Sequence, residues 1–424
     1  MRGKWWVLGL IALAIAGDYY AWDSIAPVAD LLRRQRGFSQ AQIGLLNAVY
    51  ALPNIPLCLV GGVLIDRIGA ARASLICAVF CFAGAVLTAV GQPYGVMVAG
   101  RLFFGIGEET LFISLLAGVA QWFSAGGAAL AMSLFFSMAR VGSYAADISP
   151  RWAAGVYAGG WRPPLVLAAA LTGVSLVAAL AYLWIDRRRA ALPAPAVAGH
   201  GRFDWRDLAR FDRSFWYILW LNVLFASVFF PFRSTFAIVF FQDAKKLSLS
   251  AAGLVNSWVF FAAIFATPVF GLLADRFGRR AMLLTVGAGL MPLTFAILGL
   301  TQWSLWVTTV LMGVAFSVIP AVIWPSTAML VQPVRLGTAF GLINVLQSLG
   351  MGAMNLAAGA LNDRFHAGPD HPSGYGPMLW MFFVVSFLGF LAVAALWRRE
   401  SGPEGHGLNT PGALLTGEHQ PPRI

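Results

Sequence analysis

Glu108, Glu109 and Arg140 are charged side chains set in stretches apolar enough to lie inside a lipid bilayer. The stretches read Gly100-Arg101-Leu-Phe-Phe-Gly105-Ile-Gly107-Glu108-Glu109 and Ser137-Met-Ala-Arg140-Val-Gly142-Ser143. At helical rise, Glu108 falls about 21 Å beyond Tyr94 and Arg140 about 18 Å beyond Ala128, which places both near mid-bilayer. A charge at that depth costs about 2.5–3.5 kcal/mol even on a lenient insertion scale, so it must face water or a partner. Two arrangements satisfy this. Arg140 and a carboxylate can form a buried pair that locks their helices, or Arg140 can grip a substrate carboxylate through its planar fork while a glutamate takes an ammonium group or a proton. The second arrangement selects a zwitterion. Glu108 and Glu109 lie about 100° apart around a helix, so only one of them faces a cavity squarely.

The first apolar stretch carries Asp18, Tyr19, Tyr20, Trp22 and Asp23. Tyr20 and Asp23, three apart, share a helix face and either border a cavity or belong to the aromatic belt at the membrane interface. Arg233, after Phe230-Pro-Phe232, reads as a gate or interface residue at a kink. Asn256 and Gln347, with Asn344 and Asn355, complete a binding site or make interhelical hydrogen bonds. Trp324-Pro325 bends its helix toward the cavity.

The elements that must hold these groups are read from composition. The 424 residues are 59% hydrophobic and only 11% charged, with a mean hydropathy of +0.74, so the chain partitions into a bilayer. Twelve spans can be drawn: 5–32, 40–65, 73–91, 95–122, 128–149, 163–185, 214–241, 249–274, 281–300, 303–331, 336–361 and 376–397. The expected class is all-α: twelve transmembrane helices in two pseudo-symmetric six-helix bundles. The bundles are 1–185 and 214–397, with a linker at 186–213 holding a short interfacial helix and a disordered tail at 398–424. The first span is too long and too polar for a cleaved signal peptide.

The net charge of +11 is a matter of topology. Roughly eighteen basic residues fall in alternate loops that include both termini, against roughly eight in the others, which predicts cytoplasmic termini. This explains the basic excess without a nucleic-acid partner. Cys58, Cys77 and Cys81 lie in predicted helices with no metal or disulfide spacing, and no cofactor is expected. The phosphate loop of an ATP-driven pump is absent from the sequence, and no His falls in a predicted span, which leaves carboxylates as proton carriers.

Two stretches recur at a constant offset of 209 residues. Ser39, Gly44, Leu45 and Asn47 return as Ser248, Gly253, Leu254 and Asn256. Gly62, Leu64, Asp66, Arg67 and Gly69 return as Gly271, Leu273, Asp275, Arg276 and Gly278. Parallel duplication of a six-helix half suggests a transporter whose bundles rock about a central site. The second pair of copies resembles the loop signature of the major facilitator superfamily, in which Gly62, Asp66, Arg67, Gly271, Asp275 and Arg276 would latch one state and release the other.

Within that superfamily the chain resembles the lysosomal dipeptide transporter branch. The likeness rests on Tyr20-Ala-Trp22-Asp23, Pro53-Asn54, Gly105-Ile-Gly107-Glu108-Glu109, the Arg140 stretch, Phe230-Pro-Phe232, Trp324-Pro325, Leu336-Gly-Thr-Ala-Phe-Gly341 and Gln347-Ser-Leu-Gly350. It implies carriage of dipeptides by a non-enzymatic, monomeric carrier in the lipid bilayer, with Glu109 and Arg140 at that branch's glutamate and arginine positions. Glu108 stands where that branch is expected to have Gly. A prokaryotic inner (plasma) membrane is the expected location. Facilitated exchange and proton coupling both remain open, as does the alternative of an organic monoanion or amino-acid carrier using Arg140 and Arg233. A transport-dead sensor is a further rival.

Overall fold

The computed structural model describes residues 2–91, 93–123, 127–188, 208, 210–301, 304–332, 335–403, 405, 406, 408 and 409. Helix dominates, because a backbone in lipid must satisfy its own N–H and C=O groups. Among the described residues no strand forms, and the one bridge joins Gly368 to His371. The helices are α1 (Arg2–Asp23), α2 (Ile25–Arg36), α3 (Gln40–Ala48), α4 (Ala51–Ile68), α5 (Ala70–Val90), α6 (Tyr94–Trp122), α7 (Ala128–Asp147), α8 (Ser149–Trp152), α9 (Ala154–Ala158) and α10 (Arg162–Arg187). There follow α11 (Arg213–Pro231), a π-helical turn (Phe232–Phe236), α12 (Ala237–Asp243), α13 (Leu249–Phe277), α14 (Arg280–Leu300), α15 (Leu305–Leu330), α16 (Leu336–Arg364) and α17 (Gly376–Glu400).

Ten helices among the described residues are long and apolar enough to cross a membrane. The two remaining expected spans are α3 with α4, broken at Val49 and Tyr50, and α7, which carries Arg140 and Asp147. Prolines set the breaks. Pro27 supplies no N–H to the carbonyl of Asp23, and the helix parts at Ser24, whose hydroxyl turns back to donate to Ala21 O at 2.7 Å. Pro53 does the same for Val49. The predicted interfacial helix at 186–213 lies largely outside the described residues, as does the tail from 410 onward.

The chain divides into two compact units. The first comprises Met1–Ala198, Phe230–Ser257 and Met351–Tyr375, and so contains segments from both sequence repeats. In it α5 turns a stripe of small residues, Ala70, Ser74, Cys77, Cys81 and Gly84, toward α6, and Ser74 Oγ donates to Ser114 Oγ at 2.9 Å. The second comprises Gly199–Phe229, Trp258–Gly350 and Gly376–Ile424. Its interior is aromatic: Phe229 stacks on Phe316 with centroids 4.2 Å apart.

Both signature copies occupy a tight junction between consecutive helices. Gly69, between α4 and α5, has φ of 84°, and Gly278, between α13 and α14, has φ of 64°. The left-handed backbone explains why glycine stands at both positions. Arg67 and Arg276 are exposed, Arg276 lying over the Phe277 ring at 5.6 Å. Gly271 has open space where a Cβ would stand.

Residues 398–400, which the composition assigned to the tail, complete α17 instead. The described residues beyond it fold back within the second unit. His406 N donates to Glu400 Oε2 at 2.8 Å, its Nδ1 lies 3.0 Å from Glu400 Oε1, and Leu408 is buried with its carbonyl accepting from Arg280 N at 3.0 Å. The hydrogen bond to Glu400, aided by the charges of Glu400 and Asp212, outweighs partial burial and Arg399 and raises the His406 pKa above its ordinary value. A raised folded-state pKa gives docking its full electrostatic contribution below about 6.5, lost as pH rises through the folded value. Amide exchange of residues 401–409 should therefore accelerate over that window relative to a His406→Ala variant measured at the same pH. A constant ratio between the two would disprove the coupling.

Candidate functional site

In the first unit, three helices bring together the charges singled out in the sequence. Arg140 on α7 and Glu109 on α6 are half-buried, whereas Glu108 is buried at 4% exposure. The two glutamates thus diverge as the helical angle requires, Glu108 into the helix packing and Glu109 toward accessible space. Tyr19, also half-buried, stands in the electrostatic field of Arg140, Glu108 and Glu109 and packs edge-on against Trp22 at 5.4 Å. Arg140 in turn feels Tyr19, Asp23 and Arg233. An accessible guanidinium, a carboxylate and a phenol therefore share one region.

Tyr20 is directed elsewhere. It is buried against Trp152 of α8, with ring centroids 6.2 Å apart. Its expected companion Asp23 is fully buried and pairs with Arg233, Nη1 to Oδ1 at 2.5 Å. The other Arg233 nitrogen, Nη2, binds Asp147 Oδ2. All three side chains in this triad are at 0% exposure.

The triad is built on the π turn. Pro231 brings no N–H, and the turn Phe232–Phe236 follows it, leaving carbonyls that need donors. Two asparagines supply them. Asn256 Nδ2 donates to Arg233 O at 3.2 Å and to Asp147 Oδ1 at 3.0 Å. Asn47 Nδ2 donates to Ser234 O at 3.0 Å and to Thr235 Oγ1 at 2.9 Å. Asn47 and Asn256 are equivalent positions of the sequence repeat, and both copies grasp the same turn.

The repeat's glycines act in the same layer. A Cβ on Gly44 would collide with the carbonyl of Asn355 on α16, and one on Gly253 with the carbonyl of Asp147 on α7. Each glycine therefore permits a close helix crossing. Asn355 joins the network by accepting from Thr235 Oγ1 at 2.7 Å.

A second layer of contacts lies about two to three turns beyond. Arg33 Nη1 pairs with Asp243 Oδ2 at 2.7 Å, Tyr375 Oη donates to the same oxygen at 2.7 Å, and Gln40 Nε2 donates to Tyr375 Oη at 2.9 Å. The first amides of α3 are held by Asp363, with Gln40 N and Ala41 N each 2.8 Å from its carboxylate, a negative charge at a helix N-terminus. Together the two layers pack α2, α3, α7, the π turn, α12, α13 and α16 shut at one end of this unit.

Arg101 anchors the layer from α6. Its guanidinium donates to Leu46 O at 3.1 Å, Trp22 O at 3.2 Å and Asn47 Oδ1 at 2.8 Å, gathering carbonyls beside the breaks that follow α1 and α3.

Gln347 and Trp324 belong to the second unit. Gln347 Oε1 accepts from Asn222 Nδ2 at 2.8 Å, and Trp324 packs on Phe340 at 5.3 Å with 36% of its surface exposed. The side chains of Asp66 and Asp275 lie outside the described residues, as does that of Gly62. Among the described residues no cluster of His, Cys, Asp and Glu has the makings of a metal site.

Sequence reading passed over Asp147 and preferred Tyr20 to Tyr19. Asp147 was findable: it lies seven residues, about two turns, after Arg140 and inside the same apolar span.

A family model for the Major Facilitator Superfamily matches residues 11–252 and 224–417. The chain belongs to this superfamily. It is 29% identical to the lysosomal dipeptide transporter MFSD1 of Danio rerio over 419 residues, covering 96% of this chain and 88% of that protein. The MFSD1 of Homo sapiens is also 29% identical, over 84% of this chain and 79% of its own. Among solved structures, the nucleoside transporter NupG superposes with a TM-score of 0.75 at 13% identity, over 92% of this chain and 99% of that one. This last likeness speaks for the fold alone. The chain is thus a multi-pass membrane transporter of the superfamily, with the twelve-helix architecture expected from its sequence.

Truncating one partner of a buried charge pair costs about 3–5 kcal/mol. Asp147→Asn should therefore open the packed end. A cysteine placed at buried Ala237, in a background without other cysteines, should then react with maleimide at least about tenfold faster, equivalent to about 1.4 kcal/mol. Gly253→Ala should act in the same direction, because α13 must retreat from α7. Unchanged labelling in both variants would show that the triad does not hold the end closed.

Proposed function

We propose that this protein carries small zwitterionic peptides, dipeptides foremost, across a prokaryotic plasma membrane by alternating access. The observation that supports it most directly is that half-buried Arg140 and half-buried Glu109 both act on the half-buried Tyr19, in the same unit as the fully buried triad of Asp23, Arg233 and Asp147. The likeness to the MFSD1 proteins adds the dipeptide class. In this reading the repeats 1–185 and 214–397 move against each other about the linker, both termini are cytoplasmic, and the carrier works as a monomer.

Arg140 holds the C-terminal carboxylate of the cargo in a bidentate fork, and Glu109 receives the N-terminal ammonium. Tyr19, an amphipathic ring with one hydroxyl, borders the peptide between them. Asp23 links cargo to gate, since it contacts Arg233 and also lies in the field of Arg140. A carboxylate arriving at Arg140 relieves that arginine's demand on Asp23 and leaves it to Arg233, so cargo stabilises the closed end. Opening requires the Arg233 triad to separate. The signature junctions at Gly69 and Gly278 act as the latch of the alternate state.

Uptake of labelled alanylalanine into proteoliposomes tests the assignment. Arg140→Lys keeps the charge but loses the fork and should raise KM about tenfold, equivalent to about 1.4 kcal/mol. Glu109→Gln should abolish preference for the free peptide over its N-acetylated form. If Glu109→Gln transports both as the wild type does, the carrier takes organic anions instead, and if Arg140→Lys is without effect the guanidinium does not touch cargo.

A further inference from the structure

The charged groups assigned to the two ends of the cargo adjoin a set of rings that the end groups do not need. On α6, Phe112 stands three residues after Glu109, and on α7, Phe136 stands four residues before Arg140. Each ring therefore lies within about 60° of its charged neighbour around the helix and about 4.5–6 Å from it along the axis. Consecutive spans cross a bilayer in opposite directions, so a step after Glu109 and a step before Arg140 displace both rings to the same side. The contacts agree. Tyr19 of α1 packs on Phe112 with ring centroids 6.2 Å apart, and Phe112 packs on Phe136 at 5.9 Å. One ring thus comes from each of α1, α6 and α7.

The rings are fixed from behind and open in front. Phe135 is fully buried and touches both Phe112, at 5.3 Å, and Phe136, at 5.7 Å with the planes 70° apart. Phe136 is 43% exposed, while Phe112 and Tyr19 are half-buried. Half-buried Arg140 shares the face of Phe136, and a guanidinium at membrane depth does not turn toward hydrocarbon. The surface that Phe136 exposes therefore borders the space open to Arg140. A phenyl face in such a place offers nothing to an ammonium or carboxylate held by hydrogen bonds, but it gains free energy when an apolar group covers it.

We propose that Tyr19, Phe112 and Phe136 form a side-chain subsite of the carrier, which selects cargo bearing one aromatic side chain. The subsite rests on the carrier reading above and adds the class of residue carried. The cargo's ring joins the row as a further member, edge-on or offset to Phe112 and Phe136, the arrangements that aromatic pairs prefer. In an extended dipeptide the two side chains point to opposite faces, so with both ends held only one of them lies on the rings.

Competition against uptake of labelled alanylalanine into proteoliposomes tests it. The better of phenylalanylalanine and alanylphenylalanine should inhibit at a concentration about fivefold below that of unlabelled alanylalanine, with the other isomer between them. Phe112→Leu and Phe136→Leu should each lower that ratio, taken within the variant, to about twofold or less, and Phe136→Tyr should keep it near the wild-type value. Exposed Leu134, on α7 but about 120° around from Arg140, provides the control, and Leu134→Ala should keep the ratio.

Equal inhibition by the three peptides, or an unchanged ratio in both leucine variants, would overturn the subsite and leave the carrier reading standing. A ratio that falls as far in Leu134→Ala, or a gain for lysylalanine equal to that of the better phenylalanine peptide, would overturn it too. If the N-acetylated phenylalanine peptide inhibits as well as the free one while Phe136→Leu still loses the preference, the subsite stands and the zwitterion assignment fails. If alanylalanine is not carried at all, both fall.

Discussion

A guanidinium at zero exposure in a membrane protein needs its charge met within contact distance, and Arg233 meets that demand with two carboxylates from different helices. The surrounding layer follows from it. One cation between two anions leaves a net negative charge, and Asn256 donates to Asp147 to offset part of it. The π turn presents Arg233 at this place, and the carbonyls of that turn call for the two asparagines. The helices must approach closely enough for these short side chains to reach, and that is the work of Gly44 and Gly253. Such a closure is sharply two-state, because a partly separated buried triad loses its Coulomb energy before water can replace it.

Half-buried Arg140 and fully buried Arg233 show how position decides what one residue type does. Arg233 has its carboxylates supplied by the chain. Arg140 is only partly covered and stands in the field of Tyr19, Asp23 and Arg233. Arg101 is a third case, a buried guanidinium given over to backbone and amide oxygens next to helix breaks. Each spends its donors differently, and the roles proposed for Arg233 and Arg140 follow from the spending.

Much of this was legible in the sequence, and the limits have a geometric cause. The duplication was visible because Asn47 and Asn256, or Gly69 and Gly278, keep identity at fixed register, and the spans were visible because hydrophobic length is a property of the string. Arg140, Glu108, Glu109 and Arg233 stood out as charges in apolar windows. What could not be read was azimuth. Tyr19 and Tyr20 differ by about 100° around a helix, and the break at Ser24 then redirects the chain, so spacing from Asp23 does not tell which of the two stands in the field of Arg140. The π turn inserts a residue's worth of rotation after Pro231, and no periodicity rule anticipates that Asn256 should reach both Arg233 O and Asp147. Asp147 escaped notice because it closes α7, where a polar residue is usually taken for a helix end.

The break after α1 and the π turn after α11 fall at the same point of the duplicated unit: shifted by the repeat offset, Ser24 corresponds to Arg233 and Asp23 to Phe232. Asp23 and Arg233 are therefore neighbouring rather than equivalent positions of the repeat, and their ion pair has no reciprocal copy, because the counterparts Phe232 and Ser24 carry no charge. The duplicated halves thus meet here through a one-sided bond: the acid comes only from the first half and the base only from the second.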